Sequence, residues 1–388
     1  MNILFLLKSL DIGGVEVVTS VLANKFAKEG NNVILWIFYQ GNTYLESKLA
    51  SNIKIVYGDG FNLSCNNIHS FASVINDCDI DIIINQWALP PKTTTLIHKI
   101  KRKSSVKVIS VYHSDPSING RLIRIDTSLS SAKNIERYYL RCKRALYEFV
   151  TSYSLRRCYN SSDRFVVLSD SYIQNFINYA KVKDDSKLVA ISNPITIDYS
   201  FEKHDQFDKK KRLLYVGRIE KVNKKPQRVL DVWNSIMHEF SDWQLDIVGD
   251  GPDKLELESY AKALHINRCT FYGFQEPVEF YQKASIIMLT SDFEGFPLVL
   301  IEAMSFGVVP VVYGSFSAVS DIIEDGIDGM IVRRCFGGFD ARMMVEKLKF
   351  LMNNPITLRD MSSAAKKKSG LYTIDKIYKD WLDLLKSI

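Results

Sequence analysis

The segment SDFEGFPLVLIEAMSFGVVP, residues 291–310, predicts a turn, a helix and a strand that together follow a buried strand. Pro297 stands where the helix should begin, a position that proline favours because its missing N–H has no helical partner there. We expect the helix to run to about Phe306, to be capped by Gly307 and to lead into an apolar strand over Val308–Tyr313. Two apolar strands joined by a helix are typical of a parallel sheet that is covered on both faces.

Short apolar runs alternate with helical stretches, the first of them Val15–Glu29, through both halves of the chain. This alternation predicts an α/β fold of two Rossmann-like domains whose parallel sheets face each other across a central cleft. In such sheets, ligands bind at the carboxyl ends of the strands. The other predicted buried strands are Asn2–Leu7, Asn32–Tyr39, Asp81–Asn85, Val106–Tyr112, Arg164–Leu168, Arg212–Val216, Trp243–Val248 and Ile286–Leu289.

Length and composition agree with two globular domains. The 388 residues are 46% hydrophobic and 24% charged, which excludes a disordered chain. The longest apolar run, Val33–Tyr39, is about a third of the ~20 residues that a membrane span needs. Met1–Leu10 lacks a basic start and carries Lys8 inside its apolar stretch, so we expect no signal peptide. The six cysteines lie far apart without a C-x-x-C pair, which favours neither disulfides nor a zinc site and fits a reducing cytoplasm.

A polar stretch near residue 200 divides the chain. Residues 198–212, DYSFEKHDQFDKKKR, show neither helical nor strand periodicity. We therefore expect a first domain over 1–195, a linker over 196–211 and a second domain over 212–373, with a helix of about 374–388 packing back on the first domain. Residues 1–195 hold 24 basic and 16 acidic side chains, net +8, and the remainder holds 26 and 28, net −2. This asymmetry indicates an anionic partner.

The start of the helix near residue 297 is a candidate phosphate site. The backbone N–H groups on either side of Pro297 lie at the positive end of the helix dipole. They belong to Gly295, Phe296, Leu298 and Val299. Glu294 and Glu302 stand eight residues apart on either side of that point, where carboxylates would accept hydrogen bonds from sugar and ribose hydroxyls. The alternative is one glutamate favoured by the helix dipole and one solvated glutamate.

Two further loops follow predicted strands of the second half. Arg218 comes directly after a strand and points into the predicted cleft, where a guanidinium neutralises phosphate oxygens. Lys224 and Lys225 follow in the same loop, although a solvated loop is where most lysines lie. Gly249 and Gly251, in the turn LDIVGDGP, allow the close approach of a ligand or of another backbone.

The first half offers fewer candidates. Gly13 and Gly14 lead into the first helix and would let a substrate reach its amino terminus. His113 follows the strand Val106–Tyr112 in a loop, which is a functional context, although a lone histidine is more often structural. Asp79-Ile80-Asp81 leads straight into an apolar run, so we interpret it as the edge of a strand. No cluster has the spacing of metal ligands, and we expect no metal.

In combination and order, these motifs resemble family 4 of the nucleotide-sugar glycosyltransferases, which are retaining enzymes of the GT-B fold. The resemblance is carried by the E-x7-E pair in EGFPLVLIE, by G-R…K, by V-G-D-G-P at Val248–Pro252 and by the early GGVE, and it covers nearly the whole chain. Two positions depart from the family pattern: Lys225-Pro226 stands where glycine often follows the lysine, and Ser192-Asn193-Pro194 replaces P-N-G.

The resemblance implies a role for each matching position. The donor diphosphate would be bound by Arg218, by Lys224 or Lys225, and by the amides after Gly295. Glu302 would accept hydrogen bonds from the ribose hydroxyls, and Glu294 would contact the transferred sugar. Gly14 would approach the donor from the first domain, and the turn glycines Gly249 and Gly251 would also bind it. His113 would lie near the reacting sugar, and Phe274 would lie at the nucleobase.

The implied reaction is transfer of a hexose or N-acetylhexosamine from a nucleotide sugar, UDP-linked, to a glycan or lipid-linked acceptor of cell-surface polysaccharide or lipopolysaccharide biosynthesis. Arg218 and Lys224 supply fixed positive charge to the departing diphosphate, so we expect no metal requirement. The acceptor would be bound by the first domain. The alternatives are another GT-B enzyme, such as a nucleotide-sugar epimerase, and a catalytically silent nucleotide-sugar-binding protein.

A basic amphipathic segment lies within the first half. Asn119–Arg164 holds ten basic and four acidic residues, net +6. One helical face carries Ile135, Tyr138, Tyr139, Cys142, Leu146 and Phe149, and nearly opposite lie Lys133, Arg137, Arg141 and Arg144. Such a helix has two interpretations. It lies on the anionic inner face of the cell membrane, or it packs on its own domain and leaves a solvated basic face. No motif for nucleic acid accompanies the charge.

Overall fold

The computed structural model describes residues 1–116, 118, 120–197, 209–335 and 337–388. The chain forms two compact units, one of Met1–Thr196 with Ile374–Ile388 and the other of Ile197–Thr373. Of the linker predicted over 196–211, residues 198–208 lie outside the described residues, as does Asn119 at the start of the basic segment.

The first unit is built on a seven-stranded parallel sheet in the order β3-β2-β1-β4-β5-β6-β7. Its strands are β1 (Asn2–Leu7), β2 (Asn32–Ile37), β3 (Lys54–Tyr57), β4 (Ile82–Asn85), β5 (Lys107–Tyr112), β6 (Arg164–Val167) and β7 (Leu188–Ala190). Its helices in chain order are α1 (Gly14–Lys28), α2 (Cys65–Asp77), α3 (Pro91–Lys101), α4 (Gly120–Ser131), α5 (Asn134–Ser161) and α6 (Ser171–Ala180), with a 3₁₀ turn at Glu46–Lys48.

The second unit holds a six-stranded parallel sheet in the order β10-β9-β8-β11-β12-β13. Its strands are β8 (Arg212–Val216), β9 (Gln244–Val248), β10 (Cys269–Gly273), β11 (Ile286–Leu289), β12 (Val309–Tyr313) and β13 (Met330–Val332). The helices continue with α7 (Gln227–Ile236), α8 (Lys254–Ala263), α9 (Val278–Lys283), α10 (Leu298–Ser305), α11 (Val319–Ile322), α12 (Ala341–Asn353) and α13 (Pro355–Ser369), a 3₁₀ turn at Gly370–Tyr372, and α14 (Ile374–Lys386), which belongs to the first unit.

The predicted α/β class with two parallel sheets is confirmed, and each predicted buried strand is present. Central strands are apolar throughout because helices cover both faces, and Ile3–Leu7 of β1 is wholly buried. Four further strands, β3, β7, β10 and β13, were not predicted, and they are the four edges of the two sheets.

Helix α10 begins one residue later than predicted, with Pro297 as its N-cap in extended backbone. It ends in a Schellman motif, because the Val308 amide donates to the Ala303 carbonyl at 3.0 Å and the Gly307 amide donates to the Met304 carbonyl at 2.8 Å. Gly307 takes the left-handed backbone, φ 70°, that this motif requires. The turn sends the chain directly into β12.

Helix α14 packs on α1 within the first unit. The ring of Tyr378 meets the ring of Phe26 edge-on, with centroids 4.9 Å apart, and Lys25 Nζ lies 2.6 Å from the Asp375 carboxylate. Trp381 and Leu385 are buried on the same helix. These contacts make α14 part of the apolar core around α1.

Candidate functional site

The second sheet reverses its strand order between β8 and β11. From β8 the chain adds β9 and β10 on one side, and it then returns to place β11 on the other side. Ligands of open α/β sheets bind at such a reversal, outside the carboxyl ends of the strands. The loops that follow β8 and β11 carry Arg218, Lys224 and Glu294, so the topology brings these predicted residues to one place.

Lys224 and Glu294 form an ion pair across these loops. Lys224 Nζ lies 2.7 Å from Glu294 Oε1 and 2.9 Å from Oε2. The Glu294 carboxylate is almost fully buried, with 8% of its side chain exposed, and a buried charge requires a partner of this kind. The glutamate is therefore not a solvated residue at the helix start.

Lys225 points elsewhere in the same loop. Its Nζ lies 3.7 Å from the Asp292 carboxylate, which Arg228 also contacts at 2.6 Å. Its backbone is left-handed, φ 51°, and this is the position at which the resembled family often carries glycine. The geometry therefore distinguishes the two lysines, with Lys224 at the buried glutamate and Lys225 in the glycine-like turn.

Arg218 is exposed, and its guanidinium makes no hydrogen bond or ion pair with any residue of the described ranges. The loop that carries it is held by backbone packing. A Cβ at Gly249 would collide with the Gly217 carbonyl oxygen, and a Cβ at Gly251 would collide with the Ile219 carbonyl oxygen. The two turn glycines therefore allow the backbone of the Arg218 loop to pack closely against them, and this contact positions the loop.

The amide groups of these two glycines already have acceptors. The Gly249 amide donates to the Gly273 carbonyl at 2.8 Å, and the Gly251 amide donates to Asp250 Oδ1 at 2.7 Å. Phe274 follows Gly273 at the end of edge strand β10, with 59% of the residue exposed. An open aromatic face therefore lies next to the glycine turn.

The start of α10 offers free donors beside Glu294. In the part of the chain that the structure describes, the amides of Phe296, Leu298 and Val299 donate to no acceptor. The Phe296 ring is buried against Tyr372, with centroids 5.7 Å apart, which fixes the turn between Gly295 and the helix. Unpaired amides at the positive end of a helix suit a phosphate group.

Glu302 lies in the second turn of α10 and is buried, with 6% exposed. The hydroxyl of Tyr281, itself wholly buried, donates to Glu302 Oε2 at 3.2 Å. Burial, together with the nearby Glu302 charge, raises the pKa of Tyr281 well above its ordinary value, so the tyrosine stays a donor. The alternative of a solvated Glu302 is wrong, and Tyr281 was not predicted.

In the first sheet the strand order reverses between β1 and β4. Helix α1 begins at Gly14, which is exposed, after Gly13 in extended backbone. A Cβ at Gly13 would lie 2.5 Å from Glu16 Oε2, so the Glu16 side chain folds over this turn. Burial raises the pKa of Glu16. Gly13 therefore accommodates a carboxylate of the helix that it precedes.

His113 follows β5 and contacts Gln86, which follows β4. The distance from His113 Nε2 to Gln86 Oε1 is 2.5 Å, and burial lowers the pKa of His113 to about 3. The imidazole is therefore neutral at pH 7 and acts as a hydrogen-bonding group. Gln86 was not predicted, because it is only the second polar residue after the apolar run Ile82–Ile84 and no local pattern marks its contact with His113.

An aromatic cluster surrounds Lys8 at the same edge of the first sheet. Lys8 Nζ lies 5.5 Å from the ring centroid of Trp87, 5.7 Å from that of Tyr39 and 5.9 Å from that of Phe61. These residues follow β1, β4, β2 and β3, which are neighbouring strands. Cation and ring faces together form an amphipathic surface of the kind that sugars and other polar ligands contact.

Asp81, of the Asp79-Ile80-Asp81 segment, has a structural contact. Asp81 Oδ2 accepts from the Asn2 amide at 2.8 Å at the amino end of the first sheet, as expected for the edge of a strand. Over the described ranges, no group of three or more histidine, cysteine, aspartate or glutamate side chains has an arrangement that would hold a metal ion. None of the helices in those ranges combines the length and apolar composition that crossing a bilayer demands.

Helix α5 exposes its apolar face. Ile135 is 86% exposed and Tyr138 is 73% exposed, and the same face continues with Tyr139, Leu146, Phe149 and Tyr153. The helix packs on its unit through other residues, with Leu140 buried against α4 residues such as Ile125 and with Leu155, Cys158 and Tyr159 buried in its second half. The alternative that this apolar face packs on its own domain is therefore wrong for these residues.

Comparison with protein families assigns both units. The model of Glycosyltransferase Family 4 matches residues 12–199, and the model of Glycosyl transferases group 1 matches residues 197–368. Over 100% of its length the chain is 26% identical to 99% of the GalNAc-α-(1→4)-GalNAc-α-(1→3)-diNAcBac-PP-undecaprenol α-1,4-N-acetyl-D-galactosaminyltransferase of Campylobacter jejuni. Over 36% of its length it is 34% identical to 40% of the lipopolysaccharide 1,6-galactosyltransferase of Salmonella typhimurium.

Solved structures share the fold. The lipopolysaccharide outer core galactosyltransferase WaaB, in its apo form, matches with a TM-score of 0.70 and 18% identity over 100% of this chain and 99% of that one. The Anabaena protein HepE in complex with UDP matches with a TM-score of 0.76 and 16% identity over 100% of both chains. The chain is a GT-B glycosyltransferase that joins a family 4 domain to a group 1 domain.

Proposed function

We propose that the chain is a retaining, metal-independent transferase that moves a hexose or N-acetylhexosamine from a UDP-sugar to a glycan or lipid-linked acceptor. The observation that carries this proposal is the convergence of Arg218, Lys224 and the unpaired α10 amides at the β8/β11 reversal. These groups offer positive charge and hydrogen-bond donors to one diphosphate, beside the carboxylates of Glu294 and Glu302.

Diphosphate departure is the step that these donors would assist. As the bond between the sugar carbon and the phosphate oxygen breaks, negative charge grows on the leaving diphosphate and positive charge grows on the sugar. Arg218, Lys224 and the amides of Leu298 and Val299 oppose the first charge, and Lys224 and the amides do so from fixed positions. Lys224 has three N–H donors, so it can hold Glu294 and a phosphate oxygen together.

The carboxylates and the first-unit residues would position the donor. Glu294 accepts from hydroxyls of the transferred sugar and opposes its positive charge, and Glu302 accepts from the ribose hydroxyls. The Phe274 ring stacks on the nucleobase. In the first unit, Gly14 leaves room for the donor, and the neutral imidazole of His113 hydrogen-bonds the reacting sugar. In a retaining route the leaving diphosphate takes the acceptor proton, so neither glutamate acts as a nucleophile.

The names of similar proteins support the donor and acceptor classes. HepE structures contain UDP and UDP-glucose, and the relative from Campylobacter jejuni is named for an undecaprenol-linked diphosphate glycan. Another relative, from Erwinia amylovora, is named an amylovoran biosynthesis glycosyltransferase. Cell-surface polysaccharide or lipopolysaccharide is therefore the proposed product class. The Lys8 aromatic cluster lies at the sheet edge where the first unit would receive the acceptor.

The test measures turnover of a panel of labelled nucleotide sugars with and without undecaprenol-diphosphate glycans. We expect one UDP-sugar to raise the melting temperature through binding and to be consumed much faster when an acceptor is present. The product should keep the anomeric configuration of the donor, as judged by its NMR coupling constants. Equal turnover without acceptor would indicate an epimerase or hydrolase, and an inverted product would contradict the retaining route.

Metal independence has its own test. With EDTA at millimolar concentration, we expect the transfer rate to stay within about twofold of the untreated rate, because fixed cations oppose the diphosphate charge. The control adds Mg²⁺ or Mn²⁺ to the treated enzyme. Complete loss of transfer in EDTA, restored by either metal, would contradict the proposal.

We also propose that α5 contacts an anionic membrane, which would bring the enzyme to a lipid-linked acceptor. The support is the exposed apolar face from Ile135 to Tyr153, on a helix that also exposes the basic residues Arg137 and Arg141 on its other side. A helix with apolar side chains on one face and basic side chains on its polar face lies in the interface of anionic lipids. The finding of an exposed rather than packed face favours this alternative.

We call the exposed apolar face of α5, from Ile135 to Tyr153, the apolar stripe. Replacing three of its residues with serine (Tyr138→Ser, Leu146→Ser and Phe149→Ser) should weaken vesicle binding about 100-fold, because each of these side chains buries apolar area in the bilayer. The measurement is co-sedimentation with vesicles that contain 30% phosphatidylglycerol. The matched control places serine at three exposed apolar residues of the second unit, Leu255, Ile356 and Leu371. Equal binding by both triple variants would contradict the membrane role of α5.

A further inference from the structure

A basic pocket of about 470 Å³ opens in the first unit between the last turns of α3 and α5. Helix α3 runs from the carboxyl end of β4 back toward the amino end of β5, so its last turn lies at the amino edge of the sheet. Lys8, Gly14 and His113 follow the carboxyl ends of strands, at the opposite edge. The pocket is therefore separate from the candidate site.

Basic side chains make up half of the lining of this pocket: Lys101, Arg102, Arg156 and Arg157. Lys101 Nζ is paired with Asp163 at 2.7 Å, and Arg156 lies over the Tyr153 ring with its guanidinium carbon 6.0 Å from the centroid. Arg102 and Arg157 pair with no carboxylate among the residues that the structure describes. Guanidinium groups without a carboxylate, gathered around a cavity, match the oxygens of a phosphate.

The pocket continues the exposed apolar stripe of α5. Tyr153 ends the stripe and also lines the pocket, and its ring stacks on Phe149 with centroids 6.4 Å apart. Arg156 and Arg157 follow three and four residues later, a spacing that keeps them on the same helix face. At 1.5 Å per residue, Arg157 lies about 6 Å beyond Tyr153 along the axis. A bilayer that receives the stripe would bring its phosphate layer to these arginines.

We propose that this pocket binds the phosphate headgroup of an anionic phospholipid and so fixes the carboxyl-terminal end of α5 at the bilayer surface. The proposal rests on the membrane contact proposed above for α5. Charge complementarity selects the phosphate, and continuity with the stripe selects a lipid as its source. A free phosphate would use the cations alone and leave Tyr153 and Phe149 in water, whereas a phospholipid engages both surfaces.

The test compares two variants of equal charge. The first, Arg102→Gln with Arg157→Gln, removes the unpaired guanidinium groups of the pocket. The second, Lys99→Gln with Lys103→Gln, removes two exposed lysines at the same end of α3 that do not line the pocket. We expect the arginine variant to bind phosphatidylglycerol vesicles about 30-fold more weakly and the lysine variant at most threefold more weakly. Donor hydrolysis should be unchanged in both variants.

Other results would overturn the proposal in distinguishable ways. Equal weakening by both variants would indicate diffuse surface charge rather than a pocket. If the serine stripe variant loses vesicle binding and the arginine variant keeps it, the α5 contact stands and the pocket does not bind lipid. If the wild-type chain does not bind vesicles, both proposals are wrong. Calorimetric binding of inorganic phosphate that needs Arg102 and Arg157, with unchanged vesicle binding, would assign the pocket to a soluble anion.

Discussion

Replacing Lys224 with alanine should lower the transfer rate by about 100- to 1000-fold, whereas replacing Lys225 with glycine should leave it within about twofold. Lys224 holds the buried Glu294 carboxylate and faces the proposed diphosphate site, so its removal takes away leaving-group stabilisation and the partner of Glu294. Lys225 has a left-handed backbone that glycine adopts more readily. The measurement is kcat and KM for the donor that the panel identifies.

Folding must be separated from chemistry in this comparison. A buried glutamate without its lysine destabilises the native state, so Lys224→Ala should melt at a lower temperature. Assays well below that melting temperature, with circular dichroism to verify folding, remove this contribution. Lys224→Arg keeps the charge and should recover part of the rate. Equal losses in the Lys224→Ala and Lys225→Gly variants would show that the loop, rather than the Lys224 ammonium, is what matters.

Glu302→Gln should weaken donor binding by about 10- to 100-fold with a smaller effect on kcat. A buried carboxylate accepts from ribose hydroxyls in charge-assisted hydrogen bonds worth about 1.5–3 kcal/mol each, and a neutral amide loses that assistance. The measurement is the dissociation constant of UDP by calorimetry, together with the donor KM. UDP lacks the transferred sugar, so it isolates this contact from any contribution of Glu294.

Tyr281→Phe is the matched variant for this prediction. It removes the hydroxyl that donates to Glu302 Oε2 and leaves the buried ring in place. As a positioning residue, Tyr281 should affect UDP affinity by less than about fivefold and should leave the donor kcat unchanged. Unchanged UDP affinity in Glu302→Gln would show that Glu302 does not contact the ribose and that its buried bond to Tyr281 is structural.

Burial decides which strands the sequence could predict. Strands inside a parallel sheet are covered on both faces, and segments such as Ile82–Asn85 are wholly buried and read as continuous apolar runs. Edge strands have one neighbour and partial cover. Lys54–Tyr57 and Leu188–Ala190 are short and mostly half-buried, so their apolar pattern is too weak to separate from a loop.

The candidate site was predictable where chemistry follows a strand directly. Arg218, Glu294 and His113 each come shortly after an apolar run, so their position at a carboxyl edge follows from the sequence. The partners that fix them lie on other loops. Gln86 beside His113 and Tyr281 beside Glu302 are distant in sequence, and no local pattern marks these contacts.

The sequence also could not predict which of the adjacent residues Lys224 and Lys225 lies at the site. Both are lysines in one loop, and their residue types give no reason to prefer either. The distinction comes from the left-handed backbone at Lys225, which turns its side chain toward Asp292 and leaves Lys224 at Glu294. A glycine at 225 would have marked that turn in the sequence.

Because α14 belongs to the first unit, that unit cannot complete its fold until the end of the chain has been synthesised. Phe26 of α1 is covered by Tyr378, which the ribosome adds only after residues 197–373 of the second unit. At about 5–20 residues per second, the chain from the end of α1 at Lys28 to Tyr378 takes roughly 20 to 70 seconds to make, and the apolar surface around α1 lacks its cover for that time. The second unit, by contrast, is one continuous stretch and can fold as soon as it emerges. In the nascent chain, the unit that begins first is therefore the unit that finishes last.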